Sequence, residues 1–316
     1  MKHLYNKIYE AINTGIQKAL ALDDGEDVSI NYQHKKISND FNIDKLLQDR
    51  QDEYKKLIEN KDFQGCLNLY NSEYLHFEKQ TIKYKVKSKK ELKKLINCFN
   101  DELYNYDNFD LNWIDVFDIS DMSELFYGMN HFNCDISEWN VSNVTDMNHM
   151  FHNCENFNQD LSQWNVSKVK NMESMFRGCK NFNQDLSQWN VSKVKNMSSM
   201  FFYCSNFNSD LSQWNVSNVT NMHHMFYDCE NFNSDLSQWN VLRVKDMALM
   251  FNCCKKFNSD LSNWNISNVI NMYGMFYNCE KFNSDLSQWD VSKVEDIECM
   301  FYYCPIKKKY KPKFNK

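Results

Sequence analysis

The sequence predicts an α/β fold: a solenoid of about eight 25-residue coils, each with short strands and one short helix, behind a helical N-terminal segment and cap. Three observations predict it. The string FNQDLSQWNVSKVKNM at 157–172 returns letter for letter at 182–197. Trp139, Trp164, Trp189, Trp214, Trp239, Trp264 and Trp289 stand 25 residues apart, and Trp113, 26 residues before Trp139, marks a first, degenerate copy. In every copy an Asp or Asn precedes an apolar stripe, of Met, Phe and Cys in all but the degenerate first copy, where Met129 holds the Cys place, and the last, which opens with Ile297. A unit this short buries its apolar face only by stacking on its neighbours.

Taken in chain order, Leu4, Ile8, Ala11, Ile12, Ile16, Ala19 and Leu20 step by three or four, which predicts an amphipathic helix of about 18 residues. DDGED (23–27) ends it, and a polar stretch to about residue 40 reads as a linker. IDKLLQDRQDEYKKLIEN (43–60) predicts a second, highly charged helix with Leu46, Leu47, Tyr54, Leu57 and Ile58 on one side. The segment 1–80 fits two roles, a lead-in packed on the cap of the array or a detachable anchor. A capping strand and helix are expected over 81–108. There Ser88-Lys-Lys-Glu91 has the form of a capping box, followed by Leu92, Leu95, Ile96, Phe99 and Leu103 at helical spacing.

The coils occupy 109–305. Leu161, Trp164, Val166, Val169 and Met172, separated by two or three residues, suit short extended segments joined by bends. Met172, Met175, Phe176 and Cys179 then fall at i, i+3, i+4 and i+7, the apolar stripe of a short helix. The preceding residue is Asp121, Asp146, Asn171, Asn196, Asn221, Asp246, Asn271 or Asp296, the favoured N-cap types. A basic tail, IKKKYKPKFNK (306–316), closes the chain as given.

The unit F-N-x-D-L-S-x-W-N-V-S-x-V-x-N-M-x-x-M-F-x-x-C resembles the BspA-like leucine-rich repeat family, a mycoplasma-type surface-protein repeat of unknown function. The resemblance covers about 81–304 and includes the K-x-K-x-E-L-x-x-L-I helix before the first coil. It implies a leucine-rich-repeat-like scaffold that works in surface binding or adhesion and is not an enzyme. Many relatives are exported, whereas MKHLYNKIYEAINTGIQKALAL interrupts its apolar residues with Glu, Asn, Gln and Lys and is a poor secretory signal. The opening of about 35 residues is also similar to N-terminal segments of gut bacteriophage proteins, which implies a virion-associated alternative. Cytoplasmic or virion-associated placement is therefore expected over Sec export.

Repetition turns each residue into a ladder that has a chemical reading and a packing one. Cys154, Cys179, Cys204, Cys229, Cys254, Cys279 and Cys304 lie on the apolar stripe, and no pairing phase among equivalent thiols is preferred. Buried reduced thiols are expected. His149-x-x-His152-x-Cys154 and His223-His224 lack four converging ligands, so no metal is expected. Asp135, Asp160, Asp185, Asp210, Asp235, Asp260 and Asp285, each with Ser two residues on, suit turn capping, with calcium bridging as the other reading.

Other functions are disfavoured by composition and pattern. Only 6 Gly and 2 Pro argue against collagen and Gly-rich calcium rolls, and no apolar run is long enough to span a membrane. Residues 109–304 hold 24 Asp and Glu against 12 Lys and Arg, a balance that repels a phosphate backbone, so nucleic acid is not an expected partner. The basic runs at 83–90 and 306–316 read as solvated faces. No catalytic motif appears, and a catalytic pair needs unlike environments that a repeat denies. Neither catalysis nor a cofactor is expected. The expected function is a scaffold that binds a protein or surface glycan, with a structural role in a virion or envelope appendage, or an intracellular scaffold, as alternatives. Copies differ most at the pair after Met-Phe, so Phe202, Tyr203, Tyr227, Tyr277, Tyr302 and Tyr303, with Tyr273, are the candidate binding residues, expected to be at least partly exposed, with packing between adjacent helices of the array as the other reading.

Overall fold

A computed structural model describes residues 31–32, 35–36, 43–72, 83–98 and 110–314. The helix expected over 4–20 lies outside them, as do Phe99, Leu103 and most of the linker. Two units are distinguished: the described residues up to 85 with 113–117, and those of 86–112 with 118–314.

In the first unit, β1 (Asn31–Tyr32) pairs antiparallel with β2 (Lys35–Lys36). Helix α1 (Ile43–Glu59) carries the expected charged face, laced by Gln48–Asp52 at 3.0 Å and Lys55–Asp52 at 3.2 Å. It ends in a Schellman turn: Lys61 takes a φ of 56°, Lys61 N–H donates to Ile58 O at 3.0 Å, and Asp62 N–H to Leu57 O at 2.8 Å. Asp62 then starts α2 (Phe63–Ser72) by accepting Gly65 N–H at 2.7 Å. The Gln51 amide holds β3 (Tyr84–Lys85), donating to Lys83 O at 2.9 Å and accepting Lys85 N–H at 3.0 Å. β3 runs parallel to β4 (Ile114–Asp115), and fully buried Tyr54 stacks on Trp113 at 5.6 Å.

The second unit begins at α3 (Lys89–Cys98). Ser88 Oγ accepts Glu91 N–H at 3.2 Å, and the Glu91 carboxylate takes Lys87 N–H at 2.8 Å, one residue earlier than a strict capping box. Leu92, Leu95 and Ile96 are buried. From Asp110 onward the repeats stack in parallel at a register of 25, with bridges linking Asp121, Asp146, Asn171, Asn196, Asn221, Asp246, Asn271 and Asp296 in succession.

The predicted α/β coil is corrected here, because no helix follows the bridging Asp or Asn. Ser174 and Gly178 sit at φ 51° and 76°, outside helical backbone, and the segment is a run of tight turns. Met175 N–H donates to Met172 O at 3.2 Å and Cys179 N–H to Phe176 O at 2.9 Å, each turn having its positive φ at the third position, as in type II. The alternate N–H groups leave the coil: Met172, Ser174, Phe176 and Gly178 donate to the carbonyls of Asn196, Ser198, Met200 and Phe202 at 2.7–3.0 Å. Adjacent strands sit about 4.8 Å apart, whereas packed helices need about 8–10 Å. Stacking at bridge spacing therefore excludes a helix in this half of the coil. The cap residues keep their chemistry in another geometry, since Asn171 Oδ1 accepts Glu173 N–H at 3.1 Å in an Asx turn.

The other half of the coil is tied mainly by side chains. Trp164 Nε1 donates to Ile136 O at 3.1 Å, and the indoles from Trp139 to Trp289 repeat this bond to the preceding coil at 2.9–3.1 Å. Asn133 Oδ1 accepts Asn158 N–H, Asn158 Oδ1 accepts Asn183 N–H, and the relay continues through Asn208, Asn233, Asn258 and Asn283 to Lys307 N–H at 2.7–3.1 Å. Between the two halves lie the apolar columns. Phe126, Phe151, Phe176, Phe201, Phe226, Phe251, Phe276 and Phe301 stack at 5.4–5.8 Å between centroids. Burying one such side chain contributes about 1.5–3 kcal/mol, against about 1 kcal/mol net for a hydrogen bond. Burial therefore drives stacking, while the cost of an orphaned N–H fixes the register.

The tail keeps Lys307, Lys308 and Lys309 exposed, as a solvated face, while its apolar residues turn back on the last coil. Ile306 is buried, Tyr310 O accepts Leu286 N–H at 2.8 Å, and Lys308–Tyr310 form a short 3-10 turn.

The Asx turns give a direct test. Asn221 Oδ1 accepts His223 N–H at 3.0 Å. Asn221→Ala is expected to lower stability by about 1 kcal/mol, read as a lower urea midpoint, while Asn221→Asp, which keeps the acceptor, stays near wild type. Equal losses in both variants would contradict the assignment.

Candidate functional site

The bonded half of each coil sends its intervening side chains outward in columns, and copies differ most there. One column reads Tyr127, His152, Arg177, Phe202, Tyr227, Asn252, Tyr277, Tyr302, and the next reads Gly128, Asn153, Gly178, Tyr203, Asp228, Cys253, Asn278, Tyr303. All eight residues of the second column have positive φ. Gly178 suits it for a second reason: an added Cβ falls 2.4 Å from Asn153 Oδ1. Asn and Asp tolerate this backbone, whereas Tyr203 and Tyr303 take it at φ 60° and 55° with the strain of a bulky residue.

All the candidate residues but Tyr273 fall into two groups. Arg177 lies 3.8 Å over the Phe202 ring, Phe202 stacks on Tyr227 at 4.6 Å, and Tyr203 meets Phe202 edge-on at 4.5 Å. His224 joins them, 5.4 Å from Tyr227 and 3.8 Å from His223. Farther along, Tyr277 stacks on Tyr302 at 5.5 Å and Tyr302 meets Tyr303 at 4.3 Å. Buried Asn252 separates the groups. Tyr203, Tyr273, Tyr302 and Tyr303 are exposed by 46%, 37%, 53% and 67%, and Tyr227 and Tyr277 are half-buried. Phe202 corrects the expectation of exposure: pressed between Arg177 and Tyr227 it is only 8% exposed.

Sequence reasoning passed over Tyr127, which is 51% exposed and lies 4.6 Å from the His152 ring. It belongs to the same 25-residue column but to the least regular copy. The histidines also belong to this face. Burial pushes His152 down to about 4, helped by the charges of His149 and Arg177. Burial likewise lowers His224 to about 4, with His223 and Arg177 adding to the effect.

The chemical-looking ladders have structural partners. Cys154, Cys179, Cys204, Cys229, Cys254 and Cys279 each donate their thiol to the preceding coil's Phe carbonyl at 2.9–3.1 Å, and burial raises their pKa. Asp135, Asp160, Asp185, Asp210, Asp235, Asp260 and Asp285 accept the N–H of the Ser two residues on at 2.8–3.0 Å. Those N–H bonds hold Asp185 and Asp235 below the usual carboxylate range. Among the described residues, no three His, Cys, Asp or Glu side chains converge as a metal site, and no helix is long and apolar enough to cross a membrane.

The histidines make stability pH-dependent. An ordinary imidazole titrates near 6.5, so between about 6.5 and about 4 the unfolded chain binds protons that folded His152 and His224 refuse. Stability contributed by their neutral forms is complete above about 6.5 and lost as pH falls through that window. Melting temperature should drop between about pH 7 and about pH 4.5, and His152→Asn with His224→Asn should flatten the drop. Parallel melting profiles for wild type and variant would refute this.

The sequence profile of the DUF285 family, described as Mycoplasma protein of unknown function, matches residues 93–214 and again 195–313. No curated protein and no solved structure matches the chain. The two matches together span well over half of the sequence and coincide with the stacked repeats, and the chain belongs to the DUF285 family.

Proposed function

We propose that the chain is a non-enzymatic repeat scaffold that binds another protein or a surface glycan through the variable columns beside its bonded edge. The observation that carries this reading is Tyr203, joined by Tyr303: each holds a bulky ring in left-handed backbone and leaves it largely exposed. Such strain costs roughly 1–2 kcal/mol per residue, and burial of these rings returns little of it. Strained backbone of this kind clusters at ligand-binding positions, and exposed Tyr is a favoured anchor in interfaces. Arg177, His149, His152 and His223 add donors and charge among the rings. The remainder of the coil is occupied: Asp and Asn side chains close turns, and indoles and thiols bond the preceding coil. That occupancy supports a scaffold over an enzyme.

In this reading the array is a leucine-rich-repeat-like solenoid of about eight coils, of the BspA-like surface type. Nucleic acid is disfavoured as a partner by the acidic balance of 109–304.

The test leaves Tyr302 and Tyr303 unchanged and substitutes Tyr203→Asn with Tyr127→Ser and Tyr273→Ser, against a control set of Gln188→Glu, Gln213→Glu and Gln238→Glu on the side-chain-tied half. Tyr203→Asn relieves the left-handed strain, so melting of that single variant is expected to be unchanged or raised. Binding on a glycan array and capture of host surface proteins should be lost in the Tyr set and kept in the Gln set. Loss in the Gln set alone, or undiminished binding by a folded Tyr set, refutes the proposal.

A further inference from the structure

The stack has a direction. The peptide unit of Asn171 and Met172 accepts from Met147 N–H through its carbonyl and donates to Asn196 O through its N–H, at 3.0 Å in both cases. The units 173–174, 175–176 and 177–178 do the same, so carbonyls point toward the start of the array and N–H groups toward its end. Met272, Gly274, Phe276 and Asn278 still donate forward, to Asp296, Glu298, Met300 and Tyr302 at 2.8–3.0 Å. Their counterparts Ile297, Cys299, Phe301 and Tyr303 have no acceptor for their N–H groups among the described residues. The apolar surface opens with them: Ile297 and Phe301 are half-buried where Met272 and Phe276 are fully buried. The returning tail bonds to the other half of this coil, at Leu286 and Asn283, and its Lys311 lies beside Phe301, the ammonium 5.1 Å from the ring.

At the opposite end α3 lies beside the first coil: Lys89 pairs with the Asp121 carboxylate at 3.0 Å, and Lys93 donates at 3.3 Å to Glu124 O, the carbonyl that also takes Tyr127 N–H within that coil. Leu92, Leu95 and Ile96 of α3 are buried.

We infer that the edge formed by Ile297, Cys299, Phe301 and Tyr303 is a docking site for a segment of another protein bearing this same coil signature, N-M-x-x-M-F-x-x-C. The inter-coil interface dictates that occupant. The edge repeats the donors that every earlier coil presents to its successor, and the complement is a segment whose carbonyls at the Asn and at alternate residues after it accept them. The Glu295 carbonyl, counterpart of the Ile270 carbonyl that takes Glu295 N–H, receives the residue before that Asn. Pairing of two such edges sets N–H against N–H and is disfavoured. Head-to-tail growth by copies of this chain would have to enter where α3 already lies against the first coil, which favours a separate segment as the occupant. This is edge augmentation on a turn-built edge, and it does not rest on the aromatic face.

The probe is a synthetic peptide of residues 269–283, VINMYGMFYNCEKFN, added to the full chain and followed by amide hydrogen exchange. In the chain alone, the amides of Ile297, Cys299, Phe301 and Tyr303 should exchange much faster than those of Met272, Gly274, Phe276 and Asn278. With peptide they should slow by about tenfold or more, the effect expected of one or two added hydrogen bonds. A scrambled peptide should leave them unchanged. Ile297→Lys with Phe301→Lys, which places charge on the edge, should weaken peptide binding by about tenfold or more. Absence of slowing in the wild-type chain overturns the inference whether or not the Lys variant folds, as does equal slowing by the scrambled peptide or full binding by a folded Lys variant.

Discussion

The array depends on one interaction: the hydrogen bond from a peptide N–H in one coil to the carbonyl 24 residues later, as from Phe151 to Met175 and from Phe176 to Met200. Its donors and acceptors belong to aligned peptide units, so each bond extends a chain begun in earlier coils. A one-residue insertion within the bonded half would break several chains together and leave buried N–H groups unpaired, each at about 1–3 kcal/mol. The 25-residue period is kept where these chains run. The 26-residue step from Trp113 to Trp139 is a one-residue displacement of Trp113 within the first copy, since Asp110 to Asp135 and Asp121 to Asp146 both keep 25.

The same spacing decides which side chains fill the core. A residue in one coil lies against the same residue in the next, so each column must accept copies of itself. Flat Phe rings do so by stacking nearly parallel, at interplanar angles of 3–9° along the column from Phe126 to Phe301. Cysteine fits its column for another reason. Phe151 O already accepts Cys154 N–H at 2.9 Å, and its remaining lone pair takes the Cys179 thiol at 3.0 Å. Alanine would leave that lone pair unused, and serine would bury a more polar group. Trp meets the same requirement on the opposite side, with an apolar body and one donor aimed at the preceding coil.

Much of this was legible because repetition multiplies each signal. The period, the apolar positions from Leu161 to Cys179 and the turn-capping Asp ladder from Asp135 to Asp285 were readable from the sequence, whereas the Asp and Asn column of Asn171 was read as helix caps and the Asn133–Asn283 relay was missed. The helix expected in each coil failed because consecutive turns also bring residues three and four apart to one side. The sequence carried a contrary signal at the position immediately before the Cys column, namely Gly128, Asn153, Gly178, Asp228 and Asn278, residue types that favour positive φ and recur where a helix interior should be. Packing of the variable residues within the array was one of the two sequence readings, but that Phe202 is the one buried was not legible, because it depends on which residues, Arg177 and Tyr227, occupy its column in the adjacent coils. The aromatic identity of the candidate site was readable, while its division into two groups required the geometry.

The direction of the peptide units also separates the two basic segments, which look alike in sequence. Aligned dipoles leave the carbonyl end of the array partially negative and the N–H end partially positive. Lys89 and Lys93 of α3 stand at the carbonyl end, where the field favours them, and Lys93 reaches a backbone carbonyl directly. The tail lysines stand at the other end, where the field opposes cations. Their roles there are with rings: Lys307 and Lys309 lie 5.5 and 4.9 Å from the Tyr310 ring, and Lys311 lies over Phe301. Such contacts are worth about 0.5–1 kcal/mol at exposed sites, and aliphatic stems can cover apolar surface while their ammonium groups stay wet. One basic segment therefore answers the dipole of the stack, and the other shields the rings at its end.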